Sequence, residues 1–135
     1  MTLAIKDRNA LISHRLKRAF ETIEDVQFLL DHNKLLLAVN RIYYGMFYSV
    51  SALALKHHYS TSKHSQLIGW FNKNFVAQKI VDKKYGKTLH LAFDKRSTGD
   101  YDDWVEFSKE EVEELFKGMK SFIRMIDNLI HECLN

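Results

Sequence analysis

Arg96, with Asp100 and Tyr101 just after it, and His64, with Lys63 just before it, are the residues of this chain best suited to a negatively charged ligand. A guanidinium is a permanent cation whose planar fork fits phosphate oxygens. A histidine at a helix start sits where free backbone N–H groups and the helix dipole favour an anion, so a ligand phosphate can settle beside His64. The same imidazole can equally pack and hydrogen-bond inside a bundle, and both readings stand. Arg41 is the third cation of interest, because it lies in the most apolar stretch, between Asn40 and the pair Tyr43-Tyr44. A buried guanidinium without a partner is too costly to keep. Two arrangements would satisfy it: an ion pair with Asp100 or another acid that locks the Asp100-Tyr101 segment onto the helix, or convergence of Arg41, Arg96 and His64 on a phosphate or nucleotide. They are not exclusive. Tyr101 can face solvent, touch a second copy, or be a target for modification.

Other chemistries find less support. Asp94, Asp100, Asp102 and Asp103 carry the oxygen ligands that magnesium or calcium prefers, but they match no recognised loop spacing and read as solvated acids. His57-His58 are adjacent, not four apart, which points their side chains away from each other. The single cysteine, Cys133, excludes an internal disulfide framework and a zinc ribbon, and on an apolar stripe it reads as a small buried residue. No glycine-rich phosphate loop, Ser/His/Asp order or H-E-x-x-H is present. Neither a metal nor a cofactor is expected.

The elements that must position these residues are helices. The chain has 135 residues, 46% hydrophobic and 27% charged, with no proline, where average usage of roughly 5% would supply about seven. Twenty basic against seventeen acidic side chains leave +3, too balanced for indiscriminate nucleic-acid binding. One domain over residues 1–135 is expected, with no leader or membrane span in its pattern, in a cytoplasmic setting. Ile12, Leu16, Phe20, Ile23, Val26 and Leu30 recur at helical steps and predict a helix over Asp7 to Asp31. Leu35 to His57 is apolar nearly all round, as the central helix of a bundle would be. Ser60, Thr61 or Ser62 can cap a third helix carrying Leu67, Ile68, Trp70, Phe71 and Phe75. A weaker helix is predicted over Gln78 to Asp94, interrupted in propensity by Gly86, and Ser97 to Asp103 reads as a loop by composition. Ser108 with Glu111 forms a capping box before a stripe of about 25 residues from Val112 to Cys133. Charge is segregated: lysines dominate residues 73–96, acids residues 100–114, and the two blocks can pair with one another or face solvent separately.

Ala38-Val39-Asn40-Arg41-Ile42-Tyr43-Tyr44-Gly45-Met46-Phe47 is similar to the A-x-x-R-x-Y-Y-x-M-F signature of the HEPN superfamily (higher eukaryotes and prokaryotes nucleotide-binding), in its small stand-alone prokaryotic branch. Lys63-His64-Ser65-Gln66-Leu67-Ile68, followed by Phe71 and Phe75-Val76, resembles that branch's H-S-x-x-I helix start, and Arg96 to Tyr101 resembles its R-x-x-x-D-Y loop. The likeness covers roughly residues 10–130. It implies an all-α, antiparallel four- to five-helix up-and-down bundle that usually dimerises. It also implies a chemistry, since active members carry R-x4-6-H before the last helix and act as metal-independent endoribonucleases in toxin–antitoxin and defence systems, often beside a minimal nucleotidyltransferase.

Here Arg96 takes the arginine position, but Tyr101, Asp102 and Asp103 occupy the window where the histidine belongs. Transfer through a 2′-hydroxyl needs a group near neutral pKa as well as a fixed cation, and Arg96 supplies only the second. Arg8 to His14 and Arg124 to His131 do satisfy the spacing, yet composition alone produces about one such pair by chance. The expectation is therefore a homodimeric nucleotide- or RNA-binding or regulatory module with a degenerate ribonuclease motif. Its ligand-binding residues are Arg41, Lys63, His64, Arg96, Asp100 and Tyr101. Alternatives are a ribonuclease in which His64 or His90 serves Arg96, and a purely structural dimerisation domain.

Overall fold

A computed structural model describes residues 4–132. Five helices are present: α1 (Ile5–Asp31), α2 (Leu35–Lys56), α3 (His64–Phe71), α4 (Lys83–Tyr101) and α5 (Lys109–Glu132), with a π-helical turn, Asn72–Val76, directly after α3. Side-chain pairings give their directions. Arg18 meets Tyr48 and Thr22 lies beside Gly45, so α1 and α2 are antiparallel. Phe93 meets Tyr43 and Gly99 approaches Leu36, so α4 runs against α2. Lys95 reaches Glu111 and Thr88 lies beside Gly118, so α5 runs against α4. The result is the all-α up-and-down bundle expected, with short α3 inserted between α2 and α4.

α2 is apolar nearly all round because it contacts each of the other four α-helices. Ala38, Val39, Ile42, Tyr43, Met46, Val50 and Ala52 through Leu55 are all buried. A side chain at Gly45 would overlap Met119 Cε and press on Thr22, so this glycine sets how closely α1, α2 and α5 approach. Both helices of the α1–α2 hairpin terminate through left-handed residues. At Asn33 (φ 56°) the following Lys34 N–H donates to Leu29 O, and at His58 (φ 61°) Tyr59 N–H donates to Ala54 O. These bonds satisfy carbonyls that would otherwise be orphaned at the helix ends. Lys56 Nζ donates to Ile130 O at 2.7 Å and ties the end of α2 to that of α5.

Three sequence expectations need correction. Neither Ser60, Thr61 nor Ser62 is the N-cap of α3: that residue is Lys63, and Thr61 Oγ1 instead accepts from Lys63 N–H and donates to Gln66 Oε1. The fourth helix begins at Lys83, where Asp82 caps it by accepting from Lys84 N–H, and not at Gln78; left-handed Lys79 separates it from the π turn. It also runs through Ser97-Thr98-Gly99-Asp100 to Tyr101, a stretch that composition marks as a loop. Tertiary contact overrides propensity there. Gly99 lets α4 close on Leu36 and Phe107, and Arg96 bonds Asp100 one turn on. The last helix matches its prediction: Glu111 N–H donates to Ser108 Oγ at 3.1 Å and Ser108 N–H to Glu111 Oε2 at 3.3 Å, and the buried stripe runs from Val112 to Ile130. Cys133 lies outside the described residues. No helix among the described residues is long and apolar enough to cross a membrane.

Candidate functional site

Tyr43 is fully buried on α2, and its hydroxyl lies 2.7 Å from His64 Nδ1 at the first position of α3. Leu67 and Phe71, both buried, hold α3 against the bundle and so fix that histidine. The His64 ring stacks on Phe47 with centroids 4.2 Å apart and meets Tyr44 edge-on at 5.8 Å. Arg96 enters from α4. Its guanidinium carbon sits 5.0 Å from the centre of Tyr43, 5.5 Å from Tyr44 and 5.6 Å from Phe93. Nη1 donates to Asp100 Oδ2 at 3.0 Å, while the buried Nε has no hydrogen-bond acceptor among the described residues. The ring faces take the acceptor's place, each such contact being worth roughly 0.5–2 kcal/mol.

The electrostatics follow from this box. Burial, reinforced by the charge of Arg96, pushes His64 below the usual histidine range, so its imidazole is neutral at neutral pH. Burial pulls Arg96 down, but the hydrogen bond it donates to Asp100, together with the electrostatic influence of Tyr44, Asp100 and Tyr43, outweighs it and leaves the guanidinium above its ordinary value. Burial drives the Tyr43 hydroxyl well up, with Arg96 opposing, so it stays protonated. A permanent cation and a neutral imidazole thus share one buried phenol. Such a pair can bind a phosphate oxygen and accept a proton. His64 Nε2 makes no hydrogen bond among the described residues, and which ring nitrogen carries the proton depends on the role of the Tyr43 hydroxyl.

The remaining candidates fall in different places. Lys63 is exposed beside His64 at the start of α3. Arg41 does not pair with Asp100, which Arg96 holds. Its Nε and Nη2 donate to Asn40 Oδ1 at 3.1 and 3.0 Å, and its guanidinium lies 5.1 Å from the centre of Tyr44. The reason is position: Asp100 sits one turn beyond Arg96 on the same helix, within direct reach of its guanidinium. Arg41, Arg96 and His64 nevertheless all border the Tyr44 ring. Tyr101 ends α4 and is 84% exposed. His90 faces solvent and pairs with Asp94 at 3.2 Å; six residues from Arg96, it points about 120° away around α4. Of the two histidines considered for Arg96, the fold brings only His64 to it. His131 pairs with Asp127 on α5, remote from the box. Among the described residues no three His, Cys, Asp or Glu side chains are grouped to hold a metal.

Sequence reasoning missed the ring box itself. Tyr43, Tyr44 and Phe47 were visible as aromatics at helical spacing, and Phe93 precedes Arg96 by one turn, which is the signal that could have assembled it.

A family model for the HEPN domain matches residues 12–129. The chain belongs to the HEPN family. This HEPN protein is similar to a UPF0332 protein of Thermotoga maritima, 39% identical over 128 residues, which covers 95% of this chain and 97% of the relative. It also resembles two proteins of Methanocaldococcus jannaschii that each bear the name "putative toxin". One is 35% identical over 74% of this chain and 68% of its own, the other 26% identical over 96% of both.

Proposed function

We propose that this HEPN domain is a nucleotide- or RNA-binding module with a regulatory role, and that its phosphate subsite is the Arg96–His64 edge of the ring box. One observation carries the reading: three helices bring a fixed guanidinium and an imidazole onto the same tyrosine pair, with Asp100 engaging only one nitrogen of Arg96. Lys63 and the uncapped first turn of α3 add positive potential beside it. The module works as a homodimer with a minimal nucleotidyltransferase partner, in the cytoplasm, within a toxin–antitoxin or defence-type system. The family membership and the toxin names of two relatives support that setting.

A second reading is favoured by the neutral state of His64. In a metal-independent ribonuclease the imidazole would take the 2′-hydroxyl proton while Arg96 holds the phosphate. The test is to incubate the purified protein with RNA, with and without EDTA, beside Arg96→Ala and His64→Ala. Binding that weakens in both variants without cleavage supports the module. Metal-independent cleavage lost in both establishes the ribonuclease. Neither binding nor cleavage leaves a structural dimerisation domain.

A further inference from the structure

Tyr44 also belongs to a pattern that the phosphate subsite does not use. Arg41, Tyr44 and Tyr48 recur at steps of three and four on α2, so they share one face along about 10 Å of its axis. Arg41 lies 5.1 Å from the centre of Tyr44, and the centres of Tyr44 and Tyr48 are 6.2 Å apart. Arg18 of α1 then covers Tyr48 at 4.3 Å and donates from Nη2 to its hydroxyl at 3.0 Å. The order across the surface is cation, ring, ring, cation, and both rings are partly exposed.

Neither arginine is neutralised. The bonds of Arg41 go to a neutral amide and that of Arg18 to a hydroxyl; among the described residues neither forms an ion pair. Asp25 lines the same hollow as Arg41 without closing on it. Guanidinium charges held over rings stay available to phosphates, while unstacked bases of any sequence can stack on the partly exposed tyrosines or on the guanidinium planes that cover them. One nucleotide has one base and needs one ring. Two rings between two cations, adjoining a third cation at Arg96, fit a longer strand; a duplex hides its base faces and cannot use them.

We infer that the Arg41–Tyr44–Tyr48–Arg18 face is a track for a single-stranded polynucleotide, with bases on the two tyrosines and phosphates on the two arginines, leading into the Arg96–His64 subsite. The inference deepens the nucleic-acid reading above and rests on it.

The experiment is fluorescence anisotropy of a short labelled single-stranded RNA against salt concentration, using the full chain, Tyr48→Leu, Tyr48→Phe and Arg18→Gln, each checked for helicity. Tyr48→Leu should weaken binding about fivefold or more, and Tyr48→Phe, which keeps the ring, should bind like the parent within about twofold. Arg18→Gln should lower the slope of log affinity on log salt by about 0.7. Arg18 is exposed, so that variant decides the matter if Tyr48→Leu does not fold. Parent-like binding by Tyr48→Leu and Arg18→Gln, equal competition by the matching duplex, or displacement by an acidic peptide alone would overturn the track. NMR titration of His64 with inorganic phosphate separates this failure from that of the subsite. A His64 response retained in Arg18→Gln with unchanged RNA binding removes the track alone. No response alongside weakened binding in Tyr48→Leu removes the subsite alone.

Discussion

Lys95 and Arg96 are consecutive on α4, yet they serve two regions built on opposite terms. Lys95 points to α5, where it bonds Glu111 at the rim of a hollow of about 460 Å³ lined by Val39, Leu91, Phe107 and Leu115. Glu111 also accepts from Ser108 N–H, so one carboxylate closes the ion pair and the capping box together. Arg96, about 100° further round the helix, points to α2 and lies on three rings, with its one acid a turn away on its own helix. A charge answered by a carboxylate from a neighbouring helix is a fastener and offers little to a ligand. A charge supported by ring faces is held in place while much of its field remains available.

The largest expected effect breaks that contrast at its centre. Arg96→Ala should lower RNA affinity by about 2 kcal/mol, roughly thirtyfold, measured by anisotropy, because a charge-assisted contact is lost. Lys95→Ala, one residue away, should leave affinity within about twofold; equal losses in both variants would show that only net charge matters.

Acidity sharpens the comparison next. His64 and His57 both have pKa values depressed chiefly by burial, so the unfolded chain binds protons that the folded one resists. Their contribution to stability is complete above the ordinary histidine value and is lost as pH falls through the depressed folded values. Denaturant titrations across that window should show a gentler decline in His64→Asn than in the parent. Phosphate at the subsite favours the imidazolium, so RNA affinity should rise several-fold as pH falls through the same window, and should not in His64→Asn. A flat profile in the parent would remove His64 from the site.

The α4–α5 seam responds lower on the scale. The hydrogen bond from Lys95, with further help from Ser108, outweighs burial and holds the Glu111 carboxyl below its usual range, so its stabilisation is present at neutral pH and lost as pH falls through the lowered value. Both side chains are about one third exposed, which limits the loss in Glu111→Gln to about 1 kcal/mol or less by urea denaturation, with RNA binding unchanged. An effect of the same small size is expected of Tyr43→Phe. It keeps the ring under Arg96 but removes the hydroxyl from His64 Nδ1, so stability should change by about 1 kcal/mol at most while the NMR titration of His64 shifts.

How far the sequence could be read differs between the same regions. The seam was legible because its signals are local: Ser108 and Glu111 are three apart, and the α5 stripe keeps helical period for its whole length. Most of α4 was harder. Ser97-Thr98-Gly99-Asp100 has the composition of a loop, and only the close approach of Leu36 and Phe107 to Gly99 makes a helix the better choice. Arg96 and His64 could be named from residue type and family motif, but not their meeting, which joins positions thirty-two apart through a tyrosine on a third helix.

The choice between Arg41 and Arg96 as partner of Asp100 was likewise undetermined, since it turns on whether α4 continues to Tyr101. The amino-acid order by itself determined the helical class, the central place of α2, the capping box and the cations worth watching, because each follows from periodicity or from groups within one turn. The tertiary structure alone decided where α4 ends, which arginine takes the acid, and that rings rather than carboxylates support Arg41 and Arg18. Those outcomes depend on burial and on contacts between helices, which no local spacing encodes.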